Sequence, residues 1–294
     1  MTGADGDPAG RVAVVTGAGS GLGAAMARQC ADAGMAVAAL DIDEPRARET
    51  AAALESLGAR TLAVRVDVGD AASTRDAAQR VDDWSGGCDL LFANVGVQQF
   101  GAIDRLTESD WAWVIGVNVL GTVRTVTSFL PGMRARAGWR HIVMTASAGV
   151  FTPTVRLGAY TTSKFAVMGF AETLRAELAD EGIGVTIVFP AGMATRHLES
   201  SALARPETLG PSVTRPDDIE AMLTSRASSP ADDVVTPEEA IAGLLPDLVA
   251  GEPYFLTHGA YRPDYRARQA ALDRAFDGME ARTAGTPERN RPGV

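Results

Sequence analysis

The chain has 294 residues, 46% of them apolar, which is enough for one large α/β domain or two small ones, and its 27 basic against 37 acidic side chains leave a net charge of −10. That acidity argues against nucleic acid or an anionic membrane as a main partner, and two cysteines, Cys30 and Cys88, are too few for a disulfide framework and too far apart for a metal knuckle. The opening MTGADGDPAG lacks a basic then apolar leader pattern, and no uninterrupted apolar run reaches the about 18 residues of a membrane span, so a cytoplasmic location is expected.

From Val12 onward, short β-branched runs alternate with Ala-rich amphipathic ones. The strands VAVVT, VAALD, TLAVRV and DLLFAN are expected to be followed by helices over 21 to 34, 44 to 57, 71 to 84 and from about Ser109. HIVMT and VTIVF flank the segment YTTSK, and YFLTH supplies a last strand. Continuously apolar strands separated by helices predict a parallel sheet covered on both faces. Residues 10 to 261 read as one domain. Met193 to about Val235, rich in Ser, Pro, Thr and Arg, reads as an irregular insert, a substrate lid in this position. TPEEAIAGLL begins a helix, with Thr236 and Glu239 forming a capping box and Pro237 in the first turn. Residues 262 to 294 are expected to hold one more helix, about 264 to 280, and a disordered tail.

Three places carry chemistry. The turn TGAGSGLG, residues 16 to 23, follows the first strand and opens a helix, so its glycines let the backbone approach a pyrophosphate held by helix N–H groups. Thr16 as strand end favours Gly17, Gly21 and Gly23 as the register, with Ser20 and Leu22 between them, over the shorter match from Gly19 to Ala24. Asp41 closes the second strand, followed by Ile42, where a carboxylate would bind ribose hydroxyls and repel a 2′-phosphate, or simply cap the next helix. Asp67 and Val68 after the third strand and Asn94 and Gly96 after the fourth lie on the same sheet edge, although strand-end Asp and Asn-x-Gly also mark ordinary turns. Tyr160 and Lys164 are four positions apart on a helix and therefore share a face, where an ammonium favours the phenolate of a group whose free pKa is about 10. Such a tyrosine can exchange a carbinol proton. Ser147, just beyond HIVMT, can donate to a substrate oxygen as charge develops on it. Asn118 is a polar residue in an apolar helix, either a helix-internal hydrogen bonder or part of a proton path.

Taken together, TGAGSGLG, Asp41, Asp67, Asn94 with Gly96, Asn118, Ser147, the Tyr160 and Lys164 pair and Pro190 resemble the short-chain dehydrogenase/reductase family over roughly residues 10 to 257. The resemblance implies a doubly wound, Rossmann-type parallel sheet of about seven strands with helices on both faces. It also implies a nicotinamide cofactor, which Asp41 and the lack of a Lys or Arg directly before Gly21 or between Asp41 and Arg46 identify as NAD, a catalytic tetrad of Asn118, Ser147, Tyr160 and Lys164, a water relay through Asn118, and a homodimer or homotetramer. Val95 and Ala191 depart from the family's Asn-Ala-Gly and Pro-Gly, and Met193 and Thr195 are expected beside the nicotinamide. Gln98, Gln99, Phe100, Val150, Phe151 and lid residues such as Leu198 are expected to line the substrate side, pointing to a bulky, hydrophobic or aromatic secondary alcohol or its ketone. The run DWAWVIGVNVLGTV with the lid and the extension is similar to bacterial dehydrogenases of benzylic alcohols. His141, His197 and His258 show no ligand spacing, so no metal is expected. His197, at the lid entrance, reads as a surface side chain that could reach substrate. The rival readings are a dinucleotide-binding regulator without turnover and a nucleotide-sugar epimerase or dehydratase, whose glycine spacing and larger substrate domain fit this chain poorly.

Overall fold

Five consecutive residues of the first strand, β1 (Val12–Thr16), are buried, as are most residues of the central strands that follow, which is what continuously apolar β-branched segments achieve when helices cover both sides. The computed structural model describes residues 7–193, 195, 197–225 and 234–283. In chain order the first half runs α1 (Gly21–Asp32), β2 (Ala36–Asp41), α2 (Glu44–Glu55), β3 (Thr61–Arg65), α3 (Ala71–Ser85), β4 (Leu90–Ala93), α4 (Glu108–Ile115) and α5 (Gly121–Arg134). The second half adds β5 (Arg140–Thr145), α6 (Gly158–Leu178), β6 (Ile183–Phe189), α7 (His197–Leu203), α8 (Pro216–Thr224), α9 (Pro237–Ala240), α10 (Leu244–Ala250), β7 (Tyr254–Leu256) and α11 (Arg262–Thr283).

The seven strands form one parallel sheet in the order β3-β2-β1-β4-β5-β6-β7. Strand order reverses between β1 and β4, and in open sheets of this kind the crevice at the carboxyl ends of those strands receives ligands. One face packs against α3, α5 and α6 through Ala77, Val81, Phe129, Met133, Val167 and Leu174. The other packs against α1, α2 and α10 through Met26, Cys30, Leu54, Leu244 and Leu248. The sheet is the Rossmann-type architecture expected from the sequence.

Three local expectations change. The helix begun by TPEEAIAGLL stops at Ala240 and restarts at Leu244, although its capping box forms as expected, with Thr236 Oγ1 accepting from the Glu239 amide at 3.2 Å. The cause is Pro246, whose ring would strike the carbonyl of residue 242 in an unbroken helix. The insert is not irregular throughout: α7 and α8 lie within it, α8 opening on Pro216 with the Asp218 carboxylate accepting from the Arg215 amide at 3.1 Å. Residues 226–233 of the insert and the tail from 284, where disorder was expected, lie outside the described residues. Finally, α4, a widened turn over Gly116–Leu120 and α5 make one helical rod, Glu108–Arg134, 27 residues long and apolar enough by length and composition to cross a membrane. Here its apolar face, Val126, Phe129, Leu130 and Met133, is spent on the sheet.

Candidate active site

At the carboxyl edge of the sheet a cavity of about 850 Å³ runs from the glycine turn to the lid. Its floor begins at Gly17, whose φ of +71° turns the chain out of β1 into α1. At Gly23 a Cβ would fall 2.0 Å from the Gly17 carbonyl oxygen, so only glycine lets this turn close. Gly17 and Gly23 are thus the glycines on which the turn depends, and at Gly19 a Cβ would fall 2.9 Å from Asp41 Oδ2. Ser20 caps α1 with extended backbone and no side-chain hydrogen bond to the helix, and first-turn amides at a helix N-terminus are the kind of group that holds an anion.

Asp41, at the end of β2, takes the Gly19 amide at 2.8 Å and the Asp43 amide at 3.0 Å, which fixes its carboxylate against the glycine turn. The cap of α2 is Asp43 instead, so the capping alternative for Asp41 falls away. Asp43 also pairs with Arg46 at 3.1 Å, which engages the cation nearest Asp41 in sequence. Ile42, Asp67, Val68, Pro190, Met193 and Thr195 line the same cavity. Asp67 also accepts the Gly69 amide at 2.8 Å, the turn role a strand-end Asp commonly has, while it lines the same cavity. Asn94 is a staple: its Nδ2 donates to the Thr16 carbonyl at 3.2 Å and its Oδ1 accepts from Thr145 at 3.0 Å, tying the ends of β1, β4 and β5 together. The groove between Asp41 and Gly96, with glycines where a Cβ would collide and a carboxylate at the far end, fits a dinucleotide.

Tyr160 and Lys164 face this groove from the start of α6, as their spacing requires. Lys164 is 3% exposed, and its Nζ donates to the Thr145 carbonyl at 2.9 Å and lies 5.5 Å from the Tyr160 ring centroid. Burial lowers its pKa to about 8. Gly96 leaves it room, since a Cβ there would sit 3.0 Å from Nζ. Ser147 follows β5 and caps a single tight turn, Ala148–Val150, with its Oγ accepting the Gly149 amide at 3.1 Å. Its hydroxyl hydrogen therefore has no role in that cap and is available for donation into the cavity.

Asn118 bonds outside its own helix. It is fully buried in the widened turn, with Oδ1 accepting from the Val97 amide at 2.7 Å and Nδ2 donating to the Val97 carbonyl at 2.9 Å and to Ser163 at 2.9 Å. Its amide is thus committed to holding the loop after β4 against α6, and it is not part of the cavity wall. Val150 and Phe151 also leave the substrate list. Val150 is 1% exposed in the core, and the Phe151 ring packs 4.9 Å from Phe189 and 5.7 Å from Tyr265. The reason is the tight turn after Ser147, which folds both side chains back over the sheet. Gln99 is 3% exposed and bonds to the lid, while its neighbours Gln98 and Phe100 do line the cavity.

His197 is half-buried, with part of its ring turned inward. It lines the cavity with its ring 6.2 Å from that of Tyr160, and burial lowers its pKa to about 4, with the charge of Lys164 adding to the effect. Leu198 also lines the cavity, at 51% exposure. Sequence reasoning missed Trp113, Leu157, Met222 and Tyr261 on the apolar wall, which come from four separate segments and have no shared local pattern. No group of three or more His, Cys, Asp or Glu side chains able to hold a metal occurs among the described residues.

A sequence profile of short chain dehydrogenases matches residues 11–205. The chain belongs to the short-chain dehydrogenase family. The oxidoreductase UcpA of Salmonella typhimurium is 32% identical over 249 residues, covering 84% of this chain and 90% of that one. The C alpha-dehydrogenase of Sphingobium sp. is 33% identical over 203 residues, 69% of this chain, and the match spans just under two thirds, 66%, of that relative. Among solved structures, a short-chain dehydrogenase/reductase from Burkholderia phymatum in complex with NAD superposes with a TM-score of 0.83 at 29% identity, covering 98% of this chain and 99% of its own. The apo form of LigD from Sphingobium sp. gives 0.72 at 26% identity, covering 91% and 98%.

Proposed function

We propose that this member of the family interconverts a secondary alcohol and a ketone by direct hydride transfer to and from NAD, on a bulky and mainly apolar substrate. The observation that carries the reading is that Ser147, Tyr160 and Lys164 lie on the wall of one cavity continuous with the glycine turn and Asp41. NAD, when bound, supplies the hydride acceptor for the carbinol carbon. Tyr160 takes the hydroxyl proton during oxidation and returns it during reduction. The Lys164 ammonium, 5.5 Å from the phenol ring centroid in a poorly solvated site, favours the phenolate that accepts this proton. Ser147 donates its hydroxyl hydrogen to the substrate oxygen, where negative charge gathers on the path to alkoxide. Asn118 enters as a positioning residue, through Val97 and Ser163. NAD is favoured over NADP because Asp41 puts a fixed carboxylate where a 2′-phosphate would lie and Arg46 is already paired with Asp43.

The wall formed by Phe100, Trp113, Leu157, Met222 and Tyr261 supports an aromatic or otherwise hydrophobic substrate. Similarity to a C alpha-dehydrogenase is in keeping with an aryl carbinol. The test is NADH formation, read by absorbance, from NAD and a panel of aryl and steroid secondary alcohols, with the matching ketones and NADH for the reverse direction. Tyr160→Phe should lower kcat by about 10³-fold or more. NADH binding without turnover on any alcohol or ketone would overturn the reading in favour of a non-catalytic nucleotide binder. The homodimer or homotetramer implied by the resemblance is checked by sedimentation of the purified chain.

A further inference from the structure

Helix α11 buries none of its residues in the core, yet its first two turns contact the rest of the chain on one face. Tyr261, immediately before the helix, and Asp264, Tyr265 and Arg268 recur at the i, i+3, i+4, i+7 spacing that aligns side chains on one side. Tyr261 lines the cavity. Asp264 accepts a hydrogen bond from the Thr152 hydroxyl at 3.0 Å, the Tyr265 ring meets that of Phe151 edge-on at 5.7 Å, and Arg268 donates to the Val150 carbonyl. The guanidinium of Arg268 also lies 5.2 Å from the centroid of Phe165 on α6. These contacts join α11 to the rest of the chain. Three of them fall on three consecutive residues, Val150, Phe151 and Thr152.

Those three residues end the short segment that starts at Ser147. A single tight turn of three residues has little strength of its own. Its front is tied to the sheet by the Ala148 amide donating to the Pro190 carbonyl at 2.8 Å. Its back end leaves the Val150 carbonyl pointing out of the turn, the kind of terminal acceptor that a cationic side chain satisfies. Here the cation comes from α11, more than 100 residues later in the chain. A backbone hydrogen bond to Pro190 at one end and a distant guanidinium at the other would hold Ser147 within the few tenths of an ångström that donation to a developing alkoxide requires.

We propose that the first two turns of α11 are a positioning element for Ser147, with Arg268 and Asp264 fastening the segment 150–152, and that Tyr261 at its base completes the substrate wall. The proposal rests on the reading of Ser147 as the donor to the substrate oxygen. Arg268 touches neither substrate nor cofactor, so its effect must pass through Ser147, and that dependence is the test. Arg268→Ala should lower kcat about 10-fold while leaving the NADH dissociation constant unchanged within twofold and the alcohol KM within about threefold, because the lost interaction belongs to the transition state. Arg268→Lys should recover most of the rate. In a Ser147→Ala background, Arg268→Ala should have no further effect, since the group it positions is gone.

The same factor lost in both backgrounds, or no loss in the parent, would overturn the proposal. Native-state hydrogen exchange on the full chain provides the arm that needs no turnover. The amides of Gly149 to Thr152 should exchange about 10-fold faster in Arg268→Ala, with α3 unchanged as the internal control. Unchanged exchange in this segment overturns the proposal even if the enzyme is active. Silence of the parent protein toward every alcohol, with faster exchange present, would instead overturn the alcohol reading and leave α11 as the fastening of this loop.

Discussion

Lys164 is the residue on which the electrostatics turn. An ammonium 3% exposed is costly, and its pKa of about 8 against an ordinary 10.5 means that the folded protein pays to keep it charged at neutral pH. The sign follows directly. Below pH 8 the amine is protonated in both states and the folded state carries the full penalty. Between 8 and 10.5 the unfolded chain binds more protons, so stability rises with pH by about 3 kcal/mol in all from this group. Urea unfolding of the parent and of Lys164→Met as a function of pH should show the parent gaining on the variant across that window. A constant difference between the two would refute the buried charge. His197 and His141 act in the opposite pH range. Both have pKa values lowered to about 4 by burial, so each favours the folded state above its ordinary 6.5 and loses that contribution as pH falls toward 4. Asp41 makes a separate prediction at this scale. Asp41→Ala removes the carboxylate that disfavours a 2′-phosphate, and the ratio of NADPH to NADH dissociation constants, measured by fluorescence titration, should fall about 10-fold or more.

Among the elements, the lid is held by two buried carboxylates placed with opposite polarity. On the body, Asp110 caps α4 through Thr107 and pairs with Arg205 of the lid at 2.7 Å, while Arg205 also donates to Gln99 Oε1 at 3.0 Å. On the lid, Asp218 pairs with Arg105 and, at 3.2 Å, with Arg156, a non-glycine residue held at φ +67°. For Asp110, burial raises the pKa, but hydrogen bonds from Thr107 and then Arg205 outweigh it and leave the carboxyl below its usual range. Asp218 follows the same pattern, with Arg105 supplying the main opposing bond. Both pins therefore act above the ordinary carboxylate pKa and weaken as pH falls through the lowered values. Removing one partner of such a buried pair exposes the other to the full desolvation cost. Asp218→Asn should raise the alcohol KM about 10-fold, leave the NADH dissociation constant within twofold, and speed limited proteolysis between residues 205 and 225. Unchanged KM and proteolysis would show that the lid is held by its apolar contacts, Met222 against Phe100 and Leu157, instead.

At the scale of the whole molecule, the parts of the fold with a local pattern were legible in the sequence and the parts set by distant contacts were not. The order of strands and helices, the glycine turn, and the placement of Tyr160 and Lys164 on one face all follow from spacings of two, four or eight residues. What Asn118 bonds to was not legible because its partners, Val97 and Ser163, lie 21 and 45 residues away, and nothing in WVIGVNVLG tells a widened turn from a regular one. Val150 and Phe151 were placed correctly after a strand but on the wrong side, since a tight turn reverses them toward Phe189 and Tyr265. The i, i+3, i+4, i+7 face of α11 was available in the sequence, but what it docks on was not.

The same distribution governs how the cofactor should act on stability. The groove is lined by the ends of β1, β2, β3, β4, β5 and β6 and by lid residues from Met193 to Met222, so nucleotide bound there contacts nearly every strand of the sheet and the segment that covers it. A ligand that binds only the folded state adds about 2.7 kcal/mol at 100 times its dissociation constant, which for a chain of this size corresponds to about 4 °C in Tm. NADH should therefore raise the Tm of the parent by that amount, and NADPH at equal concentration by much less, the gap closing in Asp41→Ala. The Arg268→Ala chain should keep the full NADH shift, because its substitution loosens the Ser147 segment and leaves the groove from Gly17 to Asp41 untouched. A loss of the NADH shift in Arg268→Ala would mean that α11 supports the nucleotide end of the cavity and not the substrate end.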